Sequence, residues 1–169
     1  MALSMFQSSI PVFTKTLTSL KAILEKGAAH AQAKKIDEAA LLHARLYPDM
    51  LPLTAQVQIA ADMARGGADR LTGSEPQSWE DNEKTFAELI ARVDRTIEYL
   101  KAYKANQFDG AETRQVTRKL RGQPKIFTGA NYLQQFVVPN LYFHVTTAYD
   151  ILRHNGVEIG KLDFLGSLD

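Results

Sequence analysis

The run from Asn131 to Gly156, NYLQQFVVPNLYFHVTTAYDILRHNG, decides the fold. Phe136, Val137, Asn140, Leu141, His144, Thr147, Ala148, Ile151 and Leu152 recur three and four apart, the spacing of one helix face. The run therefore reads as a long C-terminal helix whose buried stripe carries an amide at Asn140 and an imidazole at His144. An unpaired polar side chain in a core costs a few kcal/mol (about 1–3 by mutational data), so each must find a hydrogen-bond partner, bind something or face a wet cavity. The side chains are expected to point toward the helix that starts near Leu53.

Working outward, the rest of the chain supplies partners for that helix. Phe6, Ile10, Phe13, Leu17, Leu20, Leu24 and Ala28 form a first amphipathic stripe, with Pro11 marking a start or a bend. Asp37 caps a short piece, DEAALLHARLY, which Pro48 stops. Leu53, Val57, Ala60, Ala61, Ala64, Ala68 and Leu71 make a second long helix with a small-residue face, ended by Gly73. Gln58, Asp62, Arg65 and Asp69 lie along its edge; Arg65 and Asp69 read as a solvated face with local ion pairs. SWED from Ser78 reads as a capping box before the third long helix, whose stripe is Phe86, Leu89, Ile90, Val93, Ile97 and Leu100.

From Thr113 the period changes. TRQVTRKL, RGQP and KIFT read as two short strands about a Gly/Pro turn, with Val116 and Leu120 on one side and Ile126 or Phe127 opposite. Such a ribbon is marginal alone and should lie on the helices. Thr128 caps the final helix, Pro139 kinks it, and Asn155-Gly156 ends it. The tail after Gly156 holds enough apolar residues to dock. The fold class expected is all-α, a four-helix bundle in one domain over residues 1–169 with an appended β-hairpin.

Composition narrows the function classes. The 169 residues are 45% hydrophobic and 23% charged with a net charge of +1, so no global field draws the chain to nucleic acid or an anionic membrane. The absence of cysteine excludes thiolate metal sites and a cysteine nucleophile. With neither a signal-like nor a membrane-spanning apolar run, a cytoplasmic protein is expected. Nucleophile elbow, phosphate loop, dinucleotide signature and HExxH are all missing. Arg114, Arg118, Lys119, Arg121 and Lys125 give the hairpin five positive charges, read as a solvated ribbon and not as a nucleic-acid surface.

Of four histidines, His30 and His154 sit near helix ends and His43 reads as a surface or boundary residue on the short helix; none needs a functional account. His144 differs. A zinc, nickel or iron site would draw about three ligands from facing helices; Gln58 and Asp62 on the second long helix, with Asn140, are the candidates to complete a ring around it. The neutral amide of Asn140 is a poor ligand, which favours a hydrogen-bonded core histidine.

The runs SMFQSSIPVFTKTL, ARLYPDMLPLTAQVQIAADMARGGADRL and PNLYFHVTTAYDILRHNGVEIGKLDFLG resemble a bacterial family of unknown function grouped with the DinB/YfiT-like metalloenzymes. The resemblance implies a four-helix bundle of up-down-down-up connectivity, often a homodimer. It also implies a divalent metal held by one histidine of the second long helix and two of the last, in an HxxxHxGQ pattern. Here His144 and Arg153 keep their spacing, Asn140 stands at the first ligand, Thr147 at the glutamine, and Gln58, or Asp62 if the register slips, at the ligand of the second helix. One of three histidines is thus retained, so the resemblance implies either a degenerate metal site whose pocket of Gln58, Asp62, Asn140, His144 and Thr147 takes a small molecule, or a metal-dependent enzyme of the thiol-transferase or hydrolase kind.

Overall fold

The computed structural model describes residues 3–167. Its first helix, α1 (Ile10–Lys34), begins with Pro11 in the opening turn, where a missing N–H costs nothing, so the proline sets a start and not a bend. Phe6 lies ahead of the helix and packs edge-on against Phe108. The short α2 (Glu38–Leu42) is capped by Asp37, which accepts from Ala39 N at 3.0 Å, and ends well before Pro48. Helix α3 (Leu53–Thr72) closes on Gly73 in the left-handed region.

The capping box before α4 (Phe86–Lys101) is formed by Thr85 and Glu88, not by Ser78. SWED instead belongs to an extended strap, residues 73–84, that connects α3 to α4. Glu38 adds a second lock by accepting from Phe86 N at 2.9 Å, which ties α2 to the start of α4.

Strands β1 (Gln115–Leu120) and β2 (Gln123–Thr128) pair antiparallel with Val116 opposite Phe127. Arg121 and Gly122 both have positive φ, the geometry of a two-residue turn that matches strand twist. Of the two alternatives opposite Val116 and Leu120, Phe127 turns inward and Ile126 is exposed. After Thr128, which accepts from Asn131 N, the chain runs through α5 (Gly129–Tyr132), one wide π-type turn over Leu133–Val137, and α6 (Val138–His154). Pro139 cannot donate to the carbonyl one turn back, and the wide turn just before it takes up that loss. The tail returns along α1 as α7 (Lys161–Leu165), with Lys26 and Asp163 in an ion pair at 2.6 Å.

Helix α1 packs on α4 and α6, and α3 packs on the same two, so that all four long helices share one apolar cluster running from Ile10 to Ile159. The stripes read from the sequence are its content: Phe13, Leu17, Leu20, Val57, Ala64 and Leu141 have no exposed surface. Small residues on α3 let the wide turn before α6 come close, and a Cβ at Gly67 would stand 2.7 Å from Val137 Cγ1. Among the described residues no helix is long and apolar enough to cross a membrane.

Candidate functional site

The five side chains expected to share one pocket are divided between two places. At the contact of α3 with α6, His144 Nδ1 lies 2.7 Å from Gln56 Oε1. Gln56 is buried, and its Nε2 donates to the Leu51 carbonyl at 3.0 Å. A carbonyl only accepts, so the amide orientation is settled: Oε1 faces the ring and Nδ1 must carry the proton. The neutral imidazole then keeps its lone pair on Nε2.

Burial lowers the His144 pKa below its ordinary 6.5. With the folded value depressed, this contribution to stability is complete above pH 6.5 and is lost as pH falls toward the folded midpoint, because the unfolded chain takes up the proton first. We expect the NMR titration of His144 to have its midpoint below 6.5, and the fall in stability over that range to be smaller in His144→Gln. A midpoint at or above 6.5 would remove this account.

The other two polar residues of α6 turn back on their own helix. Asn140 Nδ2 donates to the Phe136 carbonyl at 2.6 Å and Thr147 Oγ1 to the Phe143 carbonyl at 2.7 Å. Gln58 and Asp62 serve a different cluster. Gln58 Nε2 donates to Glu83 Oε2 at 2.8 Å, and Asp62 Oδ1 accepts from Arg65 Nη2 at 2.8 Å and Arg92 Nη2 at 3.0 Å. A divalent transition metal needs several imidazole or carboxylate ligands with free lone pairs. This donor set does not fit one: a single imidazole stands among amides, and the Asp62 carboxylate already serves two guanidiniums. Among the described residues no three His, Asp or Glu side chains converge as metal ligands. Of the other histidines, His43 and His154 are exposed, and His30 is half-buried beside Gly156.

The edge of α3 expected to face solvent is the most polar part of the interior. Arg65 is 3% and Asp69 1% exposed, and Arg92 on α4 is 4% exposed. The two guanidiniums are held by the strap. Arg65 donates to the Gln77 carbonyl; Arg92 Nη1 donates to the Glu80 carbonyl and Glu83 Oε1, each at 2.9 Å, and Nη2 meets Asp81 at 2.8 Å. Trp79 is held between two guanidiniums, Arg65 at 4.3 Å and Arg95 at 3.9 Å from its ring centre. Burial alone would push the Glu83 carboxyl up, but hydrogen bonds from Gln58 and Arg92 outweigh it and hold it below the usual range, so it stays ionised. Deeper along α3, Asp69 Oδ1 accepts from Tyr99 and Tyr103 at 2.7 and 2.5 Å, which adds to the effect of burial in pushing the Tyr103 hydroxyl far up.

Gln56, Glu83, Arg92 and Arg95 are site residues that the sequence reading does not single out. The signal for Gln56 was available, since it lies three residues after Leu53 and four before Ala60, within the apolar stripe that Gln58 leaves. Arg92 likewise falls three after Leu89 and four before Thr96. Its counter-charges come mainly from the strap, which periodicity does not place.

A cleft of about 530 Å³ opens beside the strap, lined by Trp79, Glu80, Glu83, Glu88, Arg92 and Arg95 among others. Four long helices share one apolar cluster, and a single histidine of the last of them faces the second long helix. The structure is similar to the crystal structure of a DinB family member from Shewanella denitrificans, at 43% identity over 96% of this chain and 92% of that one, with a TM-score of 0.91. The domain of unknown function DUF1993 matches residues 5–165, and the chain belongs to that family. No curated protein matches it.

Proposed function

We propose that this is a DinB-like bundle protein, one unit of up-down-down-up path, with a degenerate metal site at His144 and a separate small-molecule site in the cleft beside the strap. The observation that carries the reading is a pair of buried donors, Trp79 Nε1 and Arg92 Nε, that have no partner among the described residues and belong to residues lining the cleft. Buried donors are rarely left unpaired, so a ligand acceptor is the natural partner. Glu80, Glu88 and Arg95 line the same cleft beside the Glu83–Arg92 ion pair, which suits a ligand bearing both an anionic and a cationic group.

Trp79 is the sole tryptophan, so its fluorescence reports the cleft directly. Titration with the standard amino acids is expected to give a saturable change with at least one, lost in Arg95→Gln; a flat response to all of them would overturn the reading. The second reading, a metal-dependent thiol transferase or hydrolase, rests on the Nε2 lone pair of His144. It predicts one zinc, nickel or iron per chain in untagged protein, lost in His144→Ala. We expect elemental analysis to find no such metal. A cytoplasmic homodimer belongs to the same proposal, with light scattering as its check.

A further inference from the structure

A second site lies across the strap from that cleft, and it stands on different residues. The groove between α3, the strap and β1, about 390 Å³, is lined by the guanidinium residues Arg65, Arg70 and Arg118, with Asp62 as the one carboxylate. Asp62 is already shared by Arg65 and Arg92. An adjoining hollow of about 280 Å³ is again lined by Arg70, together with Arg114 and the carboxylate of Glu75. The hairpin is therefore not a uniformly solvated ribbon. Lys119, Arg121 and Lys125 are exposed, but Arg114 donates to the Leu71 carbonyl and Arg118 lies over the Phe136 ring at 5.7 Å.

Two features mark the groove as built to receive a group. Arg65 Nε and Arg118 Nε are both buried and, among the described residues, both lack a hydrogen-bond partner, and Arg65 is nearly inaccessible. Gly66, in mid-helix, costs about 1 kcal/mol relative to alanine. A Cβ there would stand 2.7 Å from Arg70 Nη1, which instead folds back to donate to the Gly66 carbonyl at 2.9 Å. The glycine thus seats Arg70 in the groove wall.

Guanidinium Nε–H and Nη–H edges bind two oxygens of one carboxylate or phosphate side by side. We propose that this groove binds the carboxylate or phosphoryl group of a small anionic ligand, through Arg65, Arg70 and Arg118.

The test uses the full chain, with inorganic phosphate and succinate as separate probes at constant ionic strength. The arginine Nε–H resonances are followed by NMR and affinity by calorimetry. Saturable binding of one probe should shift the Nε–H signals of Arg65 and Arg118, and the probe that binds names the oxyanion. Arg118→Gln and Gly66→Ala should each weaken it about tenfold, the loss of one charge-assisted hydrogen bond. Lys119→Gln, the neighbouring strand residue that points to the other side of the ribbon, should leave it unchanged. Failure of both probes to saturate, or equal weakening by Arg118→Gln and Lys119→Gln, overturns the proposal. Retention on heparin that falls equally in those two variants would overturn it in favour of a diffuse polyanion surface. The Trp79 titration probes the cleft on the other side, so either site can fail without the other.

Discussion

Arg92→Met is expected to lower the stability of the fold by about 3 kcal/mol, the magnitude found when one member of a buried ion pair is removed. The side chain is buried, and it answers three carboxylates, Glu83, Asp62 and Asp81, as well as the Glu80 carbonyl. Methionine replaces the apolar stem but none of the donors, so Glu83 stays half-buried with Gln58 and a backbone N–H but no counter-charge from Arg92. The strap then loses its anchors at residues 80–83, and limited proteolysis should cut there first.

The acid limb of stability should change as well. The folded pKa of Glu83 lies below its ordinary 4.5, so its contribution is complete above that value and is lost as pH falls through the folded midpoint. Without Arg92 that loss on acidification shrinks. Adding Glu83→Leu to Arg92→Met should restore part of the stability, because an apolar pair replaces a lone buried charge. Urea unfolding of the three proteins tests this; a single variant as stable as wild type would mean that the strap is not held by these contacts.

Gly129→Ala should be comparably severe, also about 3 kcal/mol, at the upper end of what overpacking a filled site costs. Gly129 opens α5 directly after β2, and a Cβ there would fall inside the Ala111 carbonyl oxygen, a backbone atom that no rotamer change can move. Next to it Ala130 N donates to the Glu112 carbonyl at 3.0 Å, so the two backbones are tied together. For a chain of this size the loss corresponds to a melting temperature lower by roughly 6–12 °C. Gly122→Ala is the control. It has positive φ but nothing within 4 Å of the added carbon, so it should cost only the local strain, about 1 kcal/mol. Equal melting temperatures for the two variants would show that the approach of Gly129 to Ala111 is not tight.

The long helices, the hairpin and their buried faces were legible because they are local and periodic. A stripe at three and four residues states which side of a helix leaves water, and Phe13, Leu17, Val57 and Leu141 went where their spacing put them. The inward turn of His144 toward the helix from Leu53 followed from the same rule. Two local rules failed: one took charge for exposure and the other took a capping-box offset for a cap. The first treated Arg65 and Asp69 as solvent-facing because they are charged, and the second took SWED for a cap because Ser and Asp stood at the right offset.

What only the tertiary structure decided was everything carried by the strap between α3 and α4. Residues 73–84 have no period, so nothing local says that Gln77, Glu80, Asp81 and Glu83 close over the guanidiniums of Arg65 and Arg92. A charged side chain is buried where long-range partners meet its hydrogen-bonding needs, and those partners are fixed by chain path, not by spacing. The sequence alone determined a family, a set of helices and one inward imidazole. The split of Gln58 and Asp62 from His144, and the choice of Gln56 as its partner, arose when two helices met a loop.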